Sequence, residues 1–156
     1  MKVHVQRQMR SQTSVLWKYL SDFPNIGQFN PLLKSSKCIA GSIEMGKGAE
    51  RHCVMVDGSD FKERVTAWEE GKFYTVEVFE TSMPLKSARA TMGVASIDKR
   101  LSMAYLHMEL EPKFGILKPF MFLVFRFLAG PAVLRGLDKI SLQERKAIAA
   151  FSGFVL

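Results

Sequence analysis

The stretch FYTVEVFETSMPLKSARATMGVASIDKRLSMAYLHMELEP (73–112) decides the fold. It holds three strand-like runs, Phe73 to Thr81, Ser87 to Ile97 and Leu101 to Glu111, rich in β-branched and aromatic side chains or alternating in polarity. Met83-Pro84 and Asp98-Lys99 separate the runs, and Pro112 stops the last. Connections this short join antiparallel neighbours, because a parallel crossover needs about a dozen residues or more. The segment therefore reads as a meander, which argues against parallel α/β crossovers.

Upstream, Phe61 to Trp68 is a further strand ended by Glu70-Gly71, and Ala49 to Val56 is another, opened by Gly46 and Gly48 and followed by the Asp57-Gly58 turn signal. Leu32 to Ile39 precedes them and closes at Gly41. Pro24, Asn25, Gly27, Asn30 and Pro31 mark a loop. Before it, Thr13 or Ser14 can cap a short helix with Val15, Leu16, Tyr19 and Leu20 on its apolar face. At the start, Val3, Val5, Arg7 and Met9 alternate with His4, Gln6 and Gln8 as a first strand.

Downstream the period changes. Ile116 to Ala129 is apolar with helical composition and breaks at Gly130-Pro131. Val133, Leu137, Ile140 and Ile148 then form one stripe of an amphipathic helix, with Arg135, Lys139, Gln143 and Lys146 off it. The order of elements predicts an α+β fold in which a curved antiparallel sheet of six to seven strands wraps a long C-terminal helix. A cavity between sheet and helix is expected.

Composition narrows the classes. The chain has 156 residues, of which 47% are hydrophobic and 24% charged. At that length folding buries roughly 70% of the unfolded chain's surface, enough for a core without staples. Disordered, collagen-like and disulfide-scaffold chains are excluded. The two cysteines, Cys38 and Cys53, read as free thiols in a reducing compartment. The N-terminus has no apolar run behind its charges, and Phe120 to Ala129, interrupted by Arg126, is too short to span a bilayer. A cytoplasmic, single-domain protein (1–156) is expected. The net charge of +7 suits acidic partners, but the basic residues are spread over every element and no nucleic-acid-binding motif is present, so nucleic acid is not an expected partner. His4, His52 and His107 lack metal-ligand spacing, and neither a metal nor a cofactor is expected.

Five local sequences, VLWKYLSDFPNIGQFNP (15–31), GKGAERHCVMV (46–56), KERVTAWEEGKFYTVEV (62–78), GILKPFMFLVFRFL (115–128) and VLRGLDKISLQERKAI (133–148), resemble the START and Bet v 1-like (SRPBCC) superfamily. The resemblance is to its bacterial polyketide cyclase/dehydrase and lipid-transport group, and it covers nearly the whole chain. It implies the helix-grip fold and a cavity for apolar or amphipathic molecules, and suggests ligand binding more strongly than chemistry. It also implies that Lys34, Arg51 and Glu63 point polar groups into the cavity, with Cys53, Met55, Phe61, Val65, Ala88, Ala90, Met92 and Val94 sharing the lining.

In the last strand two readings conflict. Hydrophobicity turns Ala104, Leu106, Met108 and Leu110 inward, whereas the resemblance turns Met103, Tyr105 and His107 inward, and we follow the resemblance. Lys34 with Arg51 would then hold a carboxylate, phosphate or enolate, unless Arg51 is absorbed in an internal ion pair with Glu63. His107 with Tyr105 or Glu63 would be the candidate acid–base pair. The expected function is binding, or carrying, a small hydrophobic or amphipathic molecule. The alternative is a cyclase or dehydratase acting on a poly-carbonyl substrate. A further one is an interaction module that docks a partner or a membrane through residues 120–129.

Overall fold

The computed structural model describes residues 1–154. Strand β1 (Lys2–Met9) leads into helix α1 (Thr13–Ser21) and a 3-10 stretch (Phe23–Gln28). Six strands follow: β2 (Leu33–Cys38), β3 (Glu50–Met55), β4 (Asp60–Glu69), β5 (Phe73–Thr81), β6 (Leu85–Ser96) and β7 (Ser102–Pro112). After a 3-10 turn (Gly115–Leu117), α2 (Lys118–Leu123), a π-helical stretch (Val124–Ala129) and α3 (Gly130–Phe154) complete the chain. The seven strands form one antiparallel sheet in the order β1-β7-β6-β5-β4-β3-β2, so the first strand closes against the last. This is the helix-grip α+β fold.

The core lies between the concave sheet face and the helices. Leu16, Trp17 and Leu20 of α1 are buried there with Phe23, Ile26 and Phe29 of the following loop and Val133, Leu134 and Leu137 of α3. Gln12, not Thr13 or Ser14, is the N-cap of α1, with no side-chain cap bond, and Trp17 takes an inward place that the expected face omitted. Trp17 can be buried because its indole nitrogen donates to Glu70 (2.7 Å), whose other oxygen accepts from Trp68 (2.8 Å).

Gly130-Pro131 does not break the terminal helix. Pro131 has no N–H to give, and its ring would crowd the carbonyl four residues back. A wider turn absorbs it: the Gly130 N–H bonds Phe125 O, five residues back, and one helix runs from Gly115 to Phe154. Ile148, expected on the buried stripe, is 56% exposed, because α3 leaves the sheet after Ser141 and its last turns stand in solvent.

Candidate ligand cavity

A cavity of about 160 Å³ lies between the concave sheet and the helical cover. Arg51, Cys53 and Met55 of β3, Phe61 and Glu63 of β4, and Ala88, Ala90 and Met92 of β6 lie in its wall. Strand alternation brings the β4 and β6 residues to one face. Leu106, Met108 and Leu110 of β7 complete the sheet side, and Phe125, Ala129 and Val133 close it from the helix.

The sheet forks beside this cavity. β5 and β6 pair from Phe73↔Gly93 to Glu77↔Arg89. Beyond that point Val78 to Thr81 stay with β4, and Leu85 to Ala88 stay with β7. Val78 and Ala88 line the cavity at the fork, and the Glu77–Arg89 ion pair (2.8 Å) ties the strands where they part.

Six expected lining residues are elsewhere. Lys34 is exposed: Leu33 opposes Met55 and Ser35 opposes Val54, so Lys34 is the extra residue of a β-bulge and is turned out. Tyr105 and His107 also face outward, together with Met103. Pairing of β7 with β1 and β6 runs without a slip from Ser102 to Glu109, so the more apolar set, Ala104, Leu106, Met108 and Leu110, is the buried one. Gly93 opposes Tyr105 and makes this orientation possible: a Cβ on Gly93 would lie 2.3 Å from the Tyr105 hydroxyl, so the ring lies over the bare backbone. Val65 and Val94 are buried in the core outside the cavity wall.

The charge buried in the cavity wall is an ion pair, beside which Asn30, Tyr74 and the Glu77-paired Arg89 add further polar groups. Arg51 is 3% exposed and Glu63 5%. Arg51 donates from Nε (2.6 Å) and Nη2 (2.5 Å) to Glu63 Oε1, and from Nη1 to the Phe23 carbonyl (2.6 Å), while its guanidinium stacks 3.9 Å from the Phe23 ring centroid. Burial alone disfavours the guanidinium charge, but the Glu63 carboxylate, with the Tyr74 hydroxyl and Cys53 thiol beside it, more than offsets this and raises the Arg51 pKa. The anion site expected from Lys34 and Arg51 is therefore not assembled. Lys34 is outside, and Arg51 is neutralised.

What the pair leaves open is an acceptor. Among the described residues nothing donates to Glu63 Oε2, yet no fully buried side-chain nitrogen or oxygen lacks a partner. That oxygen therefore keeps accessible surface, in a residue that lines the cavity. Cys53, hydrogen-bonded to Ser36 (3.6 Å), is no nucleophile at neutral pH: burial pushes its thiol up to about 11 despite the opposing pull of Arg51.

His107 sits on the outer face, its ring 4.3 Å from that of His4, its cross-strand partner. Partial burial and then His4 hold its pKa below the ordinary imidazole value of 6.5. The unfolded chain therefore binds the proton more readily than the folded one, so the contribution to stability is complete above pH 6.5 and declines as pH falls below it. The melting temperature should drop between pH 7.5 and 5, less steeply in His107→Gln. Identical slopes in the two proteins would assign the acid sensitivity to other groups.

The comparisons agree with this architecture. The family described as polyketide cyclase/dehydrase and lipid transport matches residues 1–142. Among curated proteins there is no match. Similar solved structures include an uncharacterised protein from Bacillus thuringiensis, with TM-score 0.77 and 17% identity over 91% of this chain and 99% of that one. A START superfamily protein from Mycobacterium smegmatis has TM-score 0.75 and 14% identity over 91% and 97% of the two chains. Norcoclaurine synthase from Thalictrum flavum, in complex with dopamine and hydroxybenzaldehyde, has TM-score 0.69 and 16% identity over 92% and 87%. These likenesses establish the fold, and the sequence match establishes the kinship. The chain belongs to the polyketide cyclase/dehydrase and lipid-transport family of the START-like (SRPBCC) superfamily.

Proposed function

We infer that the protein binds a small, mainly apolar molecule in the cavity between sheet and helix. The observation that carries this reading is a largely apolar wall, partly open to solvent, in which the buried Arg51–Glu63 pair compensates its own charge. Such a wall gains free energy from apolar contact, at roughly 25 cal/mol per Å² buried. Size limits the guest. An apolar cavity of about 150 Å³ holds benzene, so about 160 Å³ suits a single ring with small substituents, or one end of a longer amphipathic molecule. The two small ligands in the norcoclaurine synthase complex are of that scale. Glu63 Oε2 favours a guest that donates a hydrogen bond, a phenol or an amine, over one carrying a carboxylate.

The cyclase or dehydratase reading is less well supported. Its acid–base candidate His107 and its cation Lys34 are on the solvent side, and Arg51 is engaged by Glu63 and the Phe23 carbonyl. A reducing, cytoplasmic setting goes with the binding reading, since Cys38 and Cys53 are both free.

Native mass spectrometry of the freshly purified protein, followed by titration with matched single-ring compounds, tests this reading. Phenol and benzylamine derivatives should bind more tightly than benzoates of the same size. Absence of any retained mass and of any binding across the series would reject it, and preference for benzoates would reject the role given to Glu63.

A further inference from the structure

We propose that the outer face of the 115–128 helical segment docks on an anionic lipid surface, a property independent of what fills the cavity. Ile116, Phe120, Leu123 and Phe127 recur at spacings of four, three and four, which puts them on one stripe. Their exposures are 88%, 67%, 55% and 59%, and Phe114 and Leu128 beside them are more than half exposed as well. The opposite stripe, Leu117, Met121 and Phe125, is the one packed on the core. The segment is thus apolar on both sides but partnered on one. By length and composition the helix Gly115–Phe154 could cross a membrane. Its inner stripe is committed to the protein's own core, however, so lying on the surface fits it better than spanning.

Charge selects the occupant. From Lys113 to Leu137 the sequence carries four basic residues, Lys113, Lys118, Arg126 and Arg135, and no acidic one. A second copy of this chain would bring the same cations against them, with no acid in either segment to compensate. Anionic headgroups supply the missing charge, while the phenylalanines, Phe120 and Phe127 above all, enter the acyl boundary. Phe125 and Ala129 on the inner side line the cavity, so docking would set the cavity's helical wall against the bilayer.

Flotation of the full chain with vesicles of phosphatidylcholine, with and without phosphatidylglycerol, provides the test. The protein should float with the anionic vesicles and lose binding as salt rises. Phe120→Ser with Phe127→Ser should weaken it at least tenfold while leaving the melting temperature unchanged, since both rings are exposed. Lys118→Gln with Arg126→Gln should weaken it about thirtyfold, from roughly a fivefold contribution per cation. Failure to float at low salt would overturn the proposal. So would equal binding to neutral vesicles unaffected by the charge substitutions. A concentration-dependent dimer that the serine substitutions dissolve, without vesicle binding, would overturn it in favour of a second copy.

Discussion

Replacing Gly136 by alanine is expected to lower the melting temperature by about 6–12 °C, from roughly 3 kcal/mol of overpacking in a chain of this length. On propensity alone the change should help, because alanine in a helix interior is favoured over glycine by about 1 kcal/mol. Packing decides otherwise. A Cβ at position 136 would lie 1.8 Å from the Phe29 carbonyl oxygen and 3.0 Å from its carbon. Those are backbone atoms, so no rotamer change relieves the contact. Either α3 lifts off the loop or the loop leaves its place, and both movements disturb Phe29 and Leu137, which are buried on either side of the crossing. Thermal unfolding of Gly136→Ala beside Gly153→Ala, where nothing lies within 4 Å of the added carbon, separates the two effects. A loss confined to position 136 supports the close approach. An unchanged or higher melting temperature there would mean that helix and loop have room to part.

Gly136 also marks what the sequence left hidden. Period and turn chemistry reveal the seven strands and the terminal helix, because each buries one face and the pattern repeats along it. They do not reveal backbone events. The bulge that ejects Lys34 involves one extra residue in a strand of ordinary composition, and inward and outward turns of that lysine look alike in the sequence. The π turn before Pro131 is equally silent, since Gly-Pro is as good a stop signal as a tolerated pair. The orientation of β7 was legible. Leu106, Met108 and Leu110 outweigh Tyr105 and His107 in hydrophobicity, and Gly93 across from Tyr105 removes the obstacle to an outward ring. A register borrowed from distant kin was the poorer guide. For Arg51, the alternative of pairing with Glu63 could be read from the strands, but the Phe23 carbonyl that takes its third bond comes from a loop 28 residues away.

That triple engagement gives the second large effect. Removing one partner of a buried pair leaves the other charged, dehydrated and alone, a change that costs about 3–5 kcal/mol. Glu63→Ala should be worse than a cavity of its size implies, because Arg51 stays cationic and has no route to solvent at 3% exposure. Arg51→Met removes the stack on Phe23 as well as the charge partner, and should lose a similar amount. The double change Arg51→Met with Glu63→Leu removes both charges and refills the space with apolar side chains, so it should return to within about 1–2 kcal/mol of the original, because buried pairs often break even against apolar replacements. Denaturant unfolding of the original protein, Arg51→Met, Glu63→Leu as the matching single change, and the double variant forms a complete cycle. Additive losses would show that the two side chains act separately, against the geometry of the pair. If the double variant folds, it also isolates the pair's part in binding. The cavity would keep its apolar wall but lose its acceptor, so the preference for phenols and amines over plain aromatic rings should vanish while affinity for the plain rings persists. A preference that survives in the double variant would assign selection of the guest to another group, and would leave the ion pair a role in stability alone.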